Sequence, residues 1–232
     1  MKKKYIIRYS LEFLVIVLGV SVSFYFSELS KSRDLEILSI SIQQNLLNEV
    51  KEIEEYIQER EIAFFSDTET ITALQKKNYN SDSLKLLKRV TVSLFNYRGF
   101  TPPNSVYNSL VGDGNLGLIK STELKEELSK IHNQHLYHIQ SNIDDENIAK
   151  KKIVDYFQLN YPKYFLEGQF SEQSENYIFE LKKIIDTELT LQSIIHEKKV
   201  SMILKNNGLK RYKTALIKIK KLLSENLLVT KP

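Results

Sequence analysis

The stretch "ELSKSRDLEILSISIQQNLLNEVKEIEEYIQEREIAFFSDTETITALQKK", residues 28–77, contains neither glycine nor proline. Its apolar residues Leu35, Leu38, Ile42, Leu46, Val50, Ile53, Ile57, Phe64, Ile71 and Leu74 recur in steps of three and four, the period of one helix face. Val50, Ile57, Phe64 and Ile71 also stand seven apart, which brings a coiled coil into view. The companion positions Arg60 and Asp67 are polar and interrupt that seam. The reading is a long membrane-proximal amphipathic helix over 28–77 that packs on its own domain, with a dimeric stalk as the alternative.

Working outward, the rest of the 232 residues has the same character. Seven glycines and four prolines are few, and Leu, Ile, Lys and Glu abound. That composition predicts an all-α fold: an N-terminal transmembrane helix followed by a bundle of about five or six helices, several of them long. Further helices are expected over 83–97, from Val106 to Leu110, over 122–161, over 173–206 and over 209–229. Pro102-Pro103, Pro162 and a left-handed Gly208 are the expected breaks. The chain has no cysteine, which excludes disulfides and thiolate metal sites.

Toward the amino terminus, Leu11–Phe26 runs sixteen residues with Glu12 as the only charge. Extended back to Tyr5 it has 22 residues, enough at ~1.5 Å each to cross a hydrocarbon core of roughly 30 Å. Tyr5, Tyr9, Phe24, Tyr25 and Phe26 supply aromatics at both interfaces. Residues 1–27 are therefore read as a basic cytoplasmic start and a single-pass membrane helix in contact with lipid, and 28–232 as one extracytoplasmic helical domain. A signal peptide cut near Ser21-Val22-Ser23 is the alternative, although the apolar run continues past that cut. Lys2, Lys3, Lys4 and Arg8 precede the span, so the amino terminus is expected in the cytoplasm. Glu12 lies four residues after Arg8 on the same helix face, and an Arg8–Glu12 pair at the interface accounts for it; a functional carboxylate within the span is the other reading.

The formal charge of +4 is unevenly spread. Residues 9–197 hold 19 basic and 28 acidic side chains, whereas 198–221 hold nine basic and no acidic ones. The basic residues Lys210, Arg211, Lys213, Lys218, Lys220 and Lys221 alternate with aliphatic ones. Such a helix suits an anionic lipid surface or an acidic partner; it equally suits a core helix whose basic side meets the acidic body. Nucleic acid is excluded as a partner if the domain is exported.

Two constellations resemble chemistry. In "VGDGNLGLIKS", Gly112, Asp113, Gly114, Asn115 and Gly117 crowd together, yet the Gly-Lys-Ser/Thr ending and preceding strand of a phosphate loop are missing. An EF-hand would need glycine where Leu118 stands and an acid at its twelfth position. The stretch reads as a turn between helices, with Gly112 as its left-handed residue and Ser121 or Thr122 capping the next helix. In "HNQHLYH", His132, His135 and His138 fall within one third of an α-helical circumference and are candidate metal ligands; a packed histidine cluster is the other reading. No nucleophile with a partnered base is evident, so the chain is read as a non-enzyme without a cofactor.

The span with Glu12 near its start and Gly19 within it, together with Tyr107, Leu110, Gly114, Asn115, Leu116 and Ile119 before a helix, resembles a family of small single-span bacterial membrane proteins classed as a domain of unknown function. The likeness covers residues 1–130 best, and departs from the family where Asn-Asn-Trp would come after the span and "FYFSELS" stands instead. It implies an uncleaved anchor and a helical domain outside, and no activity. The expected function is a membrane-anchored binding or scaffolding component of the cell envelope with an unidentified protein partner or a second copy of itself; a metal-binding or sensory domain on the histidines is the alternative.

Overall fold

The computed structural model describes the backbone of residues 2–76, 80–166 and 173–229, and the side chains of 13–76, 80–164 and 173–228. The expected Arg8–Glu12 pair lies outside the described side chains. All regular structure among the described residues is helical.

The first helix, α1, runs Lys2–Leu74 without interruption. At about 1.5 Å per residue it is roughly 110 Å long, because no glycine or proline comes after Gly19 until Gly99. The membrane-proximal helix expected to begin at residue 28 is thus continuous with the apolar segment. Every described side chain from Phe13 to Leu38 is exposed, and burial begins at Ser39. Beyond that point the apolar stripe becomes core: Leu46, Val50, Ile53, Ile57, Phe64 and Ile71 are all buried.

Two short helices, α2 (Ser81–Leu87) and α3 (Val90–Phe95), replace the single one expected over 83–97. The Asn80 side chain caps α2 by accepting from Ser83 N at 2.9 Å. Helix α4 (Ser105–Gly112) receives its cap from another element. The Glu49 carboxylate of α1 accepts from Val106 N at 2.6 Å and Tyr107 N at 3.1 Å, which satisfies two orphan donors at a positive helix end.

Helix α5 (Thr122–Ser129) passes through a π-helical stretch, Lys130–His135, into α6 (Leu136–Asn160). A five-residue helix α7 (Pro162–Leu166) comes next, then α8 (Glu175–Thr187) and α9 (Leu189–Val229). The break expected at Gly208 is therefore absent, and the basic run 209–229 is the second half of a longer helix. The chain turns at Glu188 instead, where the carboxylate accepts from Tyr156 Oη at 2.8 Å and Tyr161 Oη at 2.7 Å. Gly208 has another use. It is buried in α9 where α6 crosses closely, and a Cβ there would lie 3.0 Å from Ile139 Cγ1.

α9 packs along both α1 and α6. Its contacts run Lys220–Glu54, Lys213–Glu61 and Asn206–Thr68 against α1, so those two helices are antiparallel. Lys205–Glu146 and Lys152–Glu197 set α6 antiparallel to α9 in the same way. The core divides into two apolar clusters. The one nearer the amino-terminal segment gathers Leu46 to Phe64 with Phe100, Ile139 and Tyr212; the far one gathers Ile71 and Leu74 with Leu94, Phe157, Leu181 and Ile195.

Candidate functional site

The crowded glycines form a turn. Gly114 has φ 70°, which a side chain would strain, while Gly112 lies inside α4; the left-handed position is two residues later than the sequence suggested. Asn115–Leu118 make one 3-10 turn, and Ile119 returns to the core. Ser39 Oγ of α1 donates to Leu118 O at 2.8 Å, and Ser121 Oγ accepts from Leu124 N at 3.2 Å. This pinned joint lies where α1 enters the bundle.

The three histidines do not converge. His132 stacks flat on Tyr107, ring centroids 3.8 Å apart and planes 5° apart, and burial pushes its imidazole down to about 4. Burial, then the charge of Arg211, holds His135 below the ordinary histidine range, and His138 is exposed. The physical reason lies in the π-helical stretch, which takes an extra residue into the turn, so a three-residue step no longer keeps the rings on one α-helical arc. Among the described residues no group of three or more His, Asp or Glu side chains is placed to hold a metal ion.

The basic face of α9 is largely spent inside the molecule. Lys213 meets Glu61 at 2.6 Å, Lys220 meets Glu54 at 2.6 Å, and Lys218 bridges Glu123 at 2.8 Å and Glu127 at 3.1 Å. Lys221 reaches Glu225 at 3.7 Å, while Lys210 and Arg211 are exposed. Of the two readings of this run, the intramolecular one accounts for most of its charges.

Sequence reasoning missed a layer of buried charge between the two apolar clusters. Glu146 of α6 and Lys205 of α9 form an ion pair at 2 % and 1 % side-chain exposure, and Lys205 Nζ lies 4.1 Å from the centroid of the Phe64 ring. Two turns earlier on α9, buried Lys198 donates to Leu94 O at 3.1 Å and to Asn96 O at 2.5 Å, the carbonyl end of α3. Burial pushes the Lys198 ammonium down to about 7, against the opposing charge of Glu146. Asp67 of α1 accepts from Arg98 Nε at 2.5 Å, from Arg98 Nη2 at 3.3 Å and from Ser93 Oγ at 3.1 Å. The signal for this layer was present in the spacing. Leu191, Lys198, Lys205, Tyr212 and Ile219 stand seven apart, so both lysines occupy a core line.

Two recesses open beside this layer, on either side of Leu86. One is a groove of about 700 Å³ between α1 and α9, with Ile62, Phe65, Ile203 and Leu209 among its lining. Ile62 and Phe65 are 73 % and 59 % exposed there. The other is a polar cleft of about 630 Å³ over the Asp67–Arg98 pair, edged by α2 and α3. Both lie within the volume range of small-molecule sites.

Comparison with family models, with curated proteins and with solved structures found no match for this chain.

Proposed function

We propose that the chain is a single-pass membrane protein, with its amino terminus in the cytoplasm and its helical bundle held outside as a binding or scaffolding component of the cell envelope. One observation carries this reading. The run Phe13–Phe26 is a continuous helical surface of Phe, Leu, Val, Ile and Tyr with no covering element among the described residues, and it belongs to the same helix that forms the spine of the bundle. The most apolar 18-residue window of α1 has a mean hydropathy of 1.8 and none of it is buried. Each such side chain left in water forgoes roughly 1.5–3 kcal/mol, which favours burial of this surface in an apolar phase. The helix is long enough to cross one.

The anchor and the bundle are mechanically coupled. From Ser27 to Leu38 the exposed helix is a spacer of about 18 Å, after which the pinned joint at Ser39 and Leu118 begins the bundle. The resemblance to single-span bacterial proteins of unknown function supports the same topology. Binding is the role that the two recesses favour, since both have the volume of a small-molecule site.

Fractionation of cells expressing a carboxy-terminally tagged chain, followed by protease treatment of intact spheroplasts, tests this. The expected result is tag in the membrane fraction, removed by external protease. A full-length, protected tag reverses the orientation. A shortened product in the soluble fraction makes the segment up to about Ser23 a cleaved leader and removes the anchor from the proposal.

A further inference from the structure

We infer that the polar cleft over the Asp67–Arg98 pair is a binding site for a small soluble anion bearing phosphate. The choice of a soluble ligand rests on the anchor proposed above, and the recess is other than the apolar groove.

The cleft gathers cations that pair with no carboxylate among the described residues. Among its described lining residues are Lys85, Lys88, Arg89 and Arg98, against the carboxylates Asp67 and Asp82. Asp67 is already saturated by Arg98 and Ser93, which cancels one charge of each sign. Lys85, Lys88 and Arg89 make no ion pair among the described residues, whereas Lys130, Lys152, Lys213, Lys218 and Lys220 each meet a carboxylate. Residues 9–197 are net acidic, so carboxylates are plentiful. Lys85, Lys88 and Arg89 gather in one recess with Asp82 as the one remaining carboxylate of its described lining, which leaves an excess of positive charge that an anion relieves.

Arg98 supplies the geometric element. Asp67, 8 % exposed, holds the guanidinium side-on through Nε and Nη2. Nη1 makes no hydrogen bond among the described residues, so its two N–H groups are available in a fixed orientation, the fork that recognises phosphate oxygens. The other cations sit on backbone tied at both ends: Asn80 caps α2, and Lys88 O accepts from Gln173 N at 2.6 Å. Ser66 is also among the residues that line the cleft. A metal finds no free pair of carboxylates among these residues.

A phosphate could belong to a lipid headgroup or to a soluble molecule, and the spacing favours the second. Asp67 lies 41 residues beyond Phe26 on the same helix, about 60 Å along its axis. Headgroups of the membrane that would hold Phe13–Phe26 do not reach it.

Calorimetric titration of the full-length chain in neutral detergent with inorganic pyrophosphate tests the site. The expected result is saturable one-to-one binding, weakened at least tenfold by Lys88→Glu/Arg89→Glu and changed less than twofold by Lys210→Glu/Arg211→Glu. The second variant carries the same charge change on exposed α9, and both alter exposed side chains, so each should keep the parent's helicity. Arg98→Lys, which keeps the charge and removes the fork, should also weaken binding. No saturable heat, or equal weakening by the two charge reversals, overturns the site. Displacement of pyrophosphate by phosphatidylglycerol doped into the micelles overturns the soluble ligand in favour of a headgroup.

Discussion

Helix α9 carries two sets of lysines that a sequence reader meets as one basic run. Lys198 and Lys205 point inward, both fully buried, and spend their ammonium groups on Leu94 O, Asn96 O and Glu146. Lys213, Lys218 and Lys220 point outward at 42–46 % side-chain exposure, each against a carboxylate of α1 or α5. The chemistry of the residue is identical and its energetic meaning is opposite. An inward lysine cannot lose its partner without leaving a charge in an apolar interior, whereas an outward one exchanges its partner for water.

The largest effect expected from breaking this contrast is at Glu146. Glu146→Ala leaves Lys205 buried and uncompensated, and should cost about 3–5 kcal/mol in chemical unfolding. Glu146→Leu/Lys205→Met removes both charges and should recover most of that loss, or exceed the parent's stability. A double substitution as unstable as the single one would mean that packing around the pair, and not the unpaired charge, sets the cost.

Lys198 sharpens the comparison through pH. Its folded-state value of about 7 lies below the unfolded 10.5, so between these the unfolded chain holds more protons. Stability should therefore rise as pH increases from 7 toward 10, by at most about 1.4 kcal/mol per pH unit for one proton. Lys198→Met should flatten that rise. Burial raises the Tyr212 hydroxyl above the ordinary tyrosine value, which opposes the trend from about pH 9 upward, where tyrosine begins to ionise in the unfolded chain. An unchanged pH slope in Lys198→Met would assign it to other groups.

Gly208 tests the same inward face without any charge. It lies three residues after Lys205 and four before Tyr212, and its missing side chain admits Ile139. Gly208→Ala gains about 1 kcal/mol of helix propensity and loses about 1–3 kcal/mol to overpacking, a net loss of roughly 1 kcal/mol in thermal unfolding. In an Ile139→Ala background, which removes the contacted Cγ1, Gly208→Ala should turn neutral or stabilising.

How much of this was legible depended on whether the deciding contact was local. The all-α class, the unbroken α1, the turn near Gly114 and the Ser121 cap are set by breakers, periodicity and neighbours within three residues. The break at Glu188 was not legible, because the hydroxyls that hold it belong to Tyr156 and Tyr161, in and just after another helix. Gly208 misled for the same reason: glycine marks a helix end or a close approach, and only the position of Ile139 decides which. His132, His135 and His138 were placed on an ideal α-helix from which the π-helical stretch departs. Lys198 and Lys205 were read by charge when their seven-residue register with Leu191 and Tyr212 already put them on the core line.

The smallest effects belong to the outward set. Lys213→Ala and Lys220→Ala should each cost about 0.2–1 kcal/mol, shrinking further in high salt, because their pairs are half open to water. Lys218→Ala should cost more than either, since Glu127 is only 11 % exposed at its side chain, although it keeps Lys130 as its remaining partner. Burial alone would raise the Glu127 carboxyl; the hydrogen bonds from Lys130 and Lys218 outweigh it and hold the carboxyl below its ordinary value. A carboxyl depressed in the folded state adds stability above its unfolded pKa, and that stability is lost as pH falls through the folded one. The cost of Lys218→Ala should therefore be larger at pH 7 than near pH 3, in unfolding curves measured at both. A cost independent of pH would mean that Lys218 acts through its aliphatic stem against the bundle, which would move it from the outward set toward the inward one.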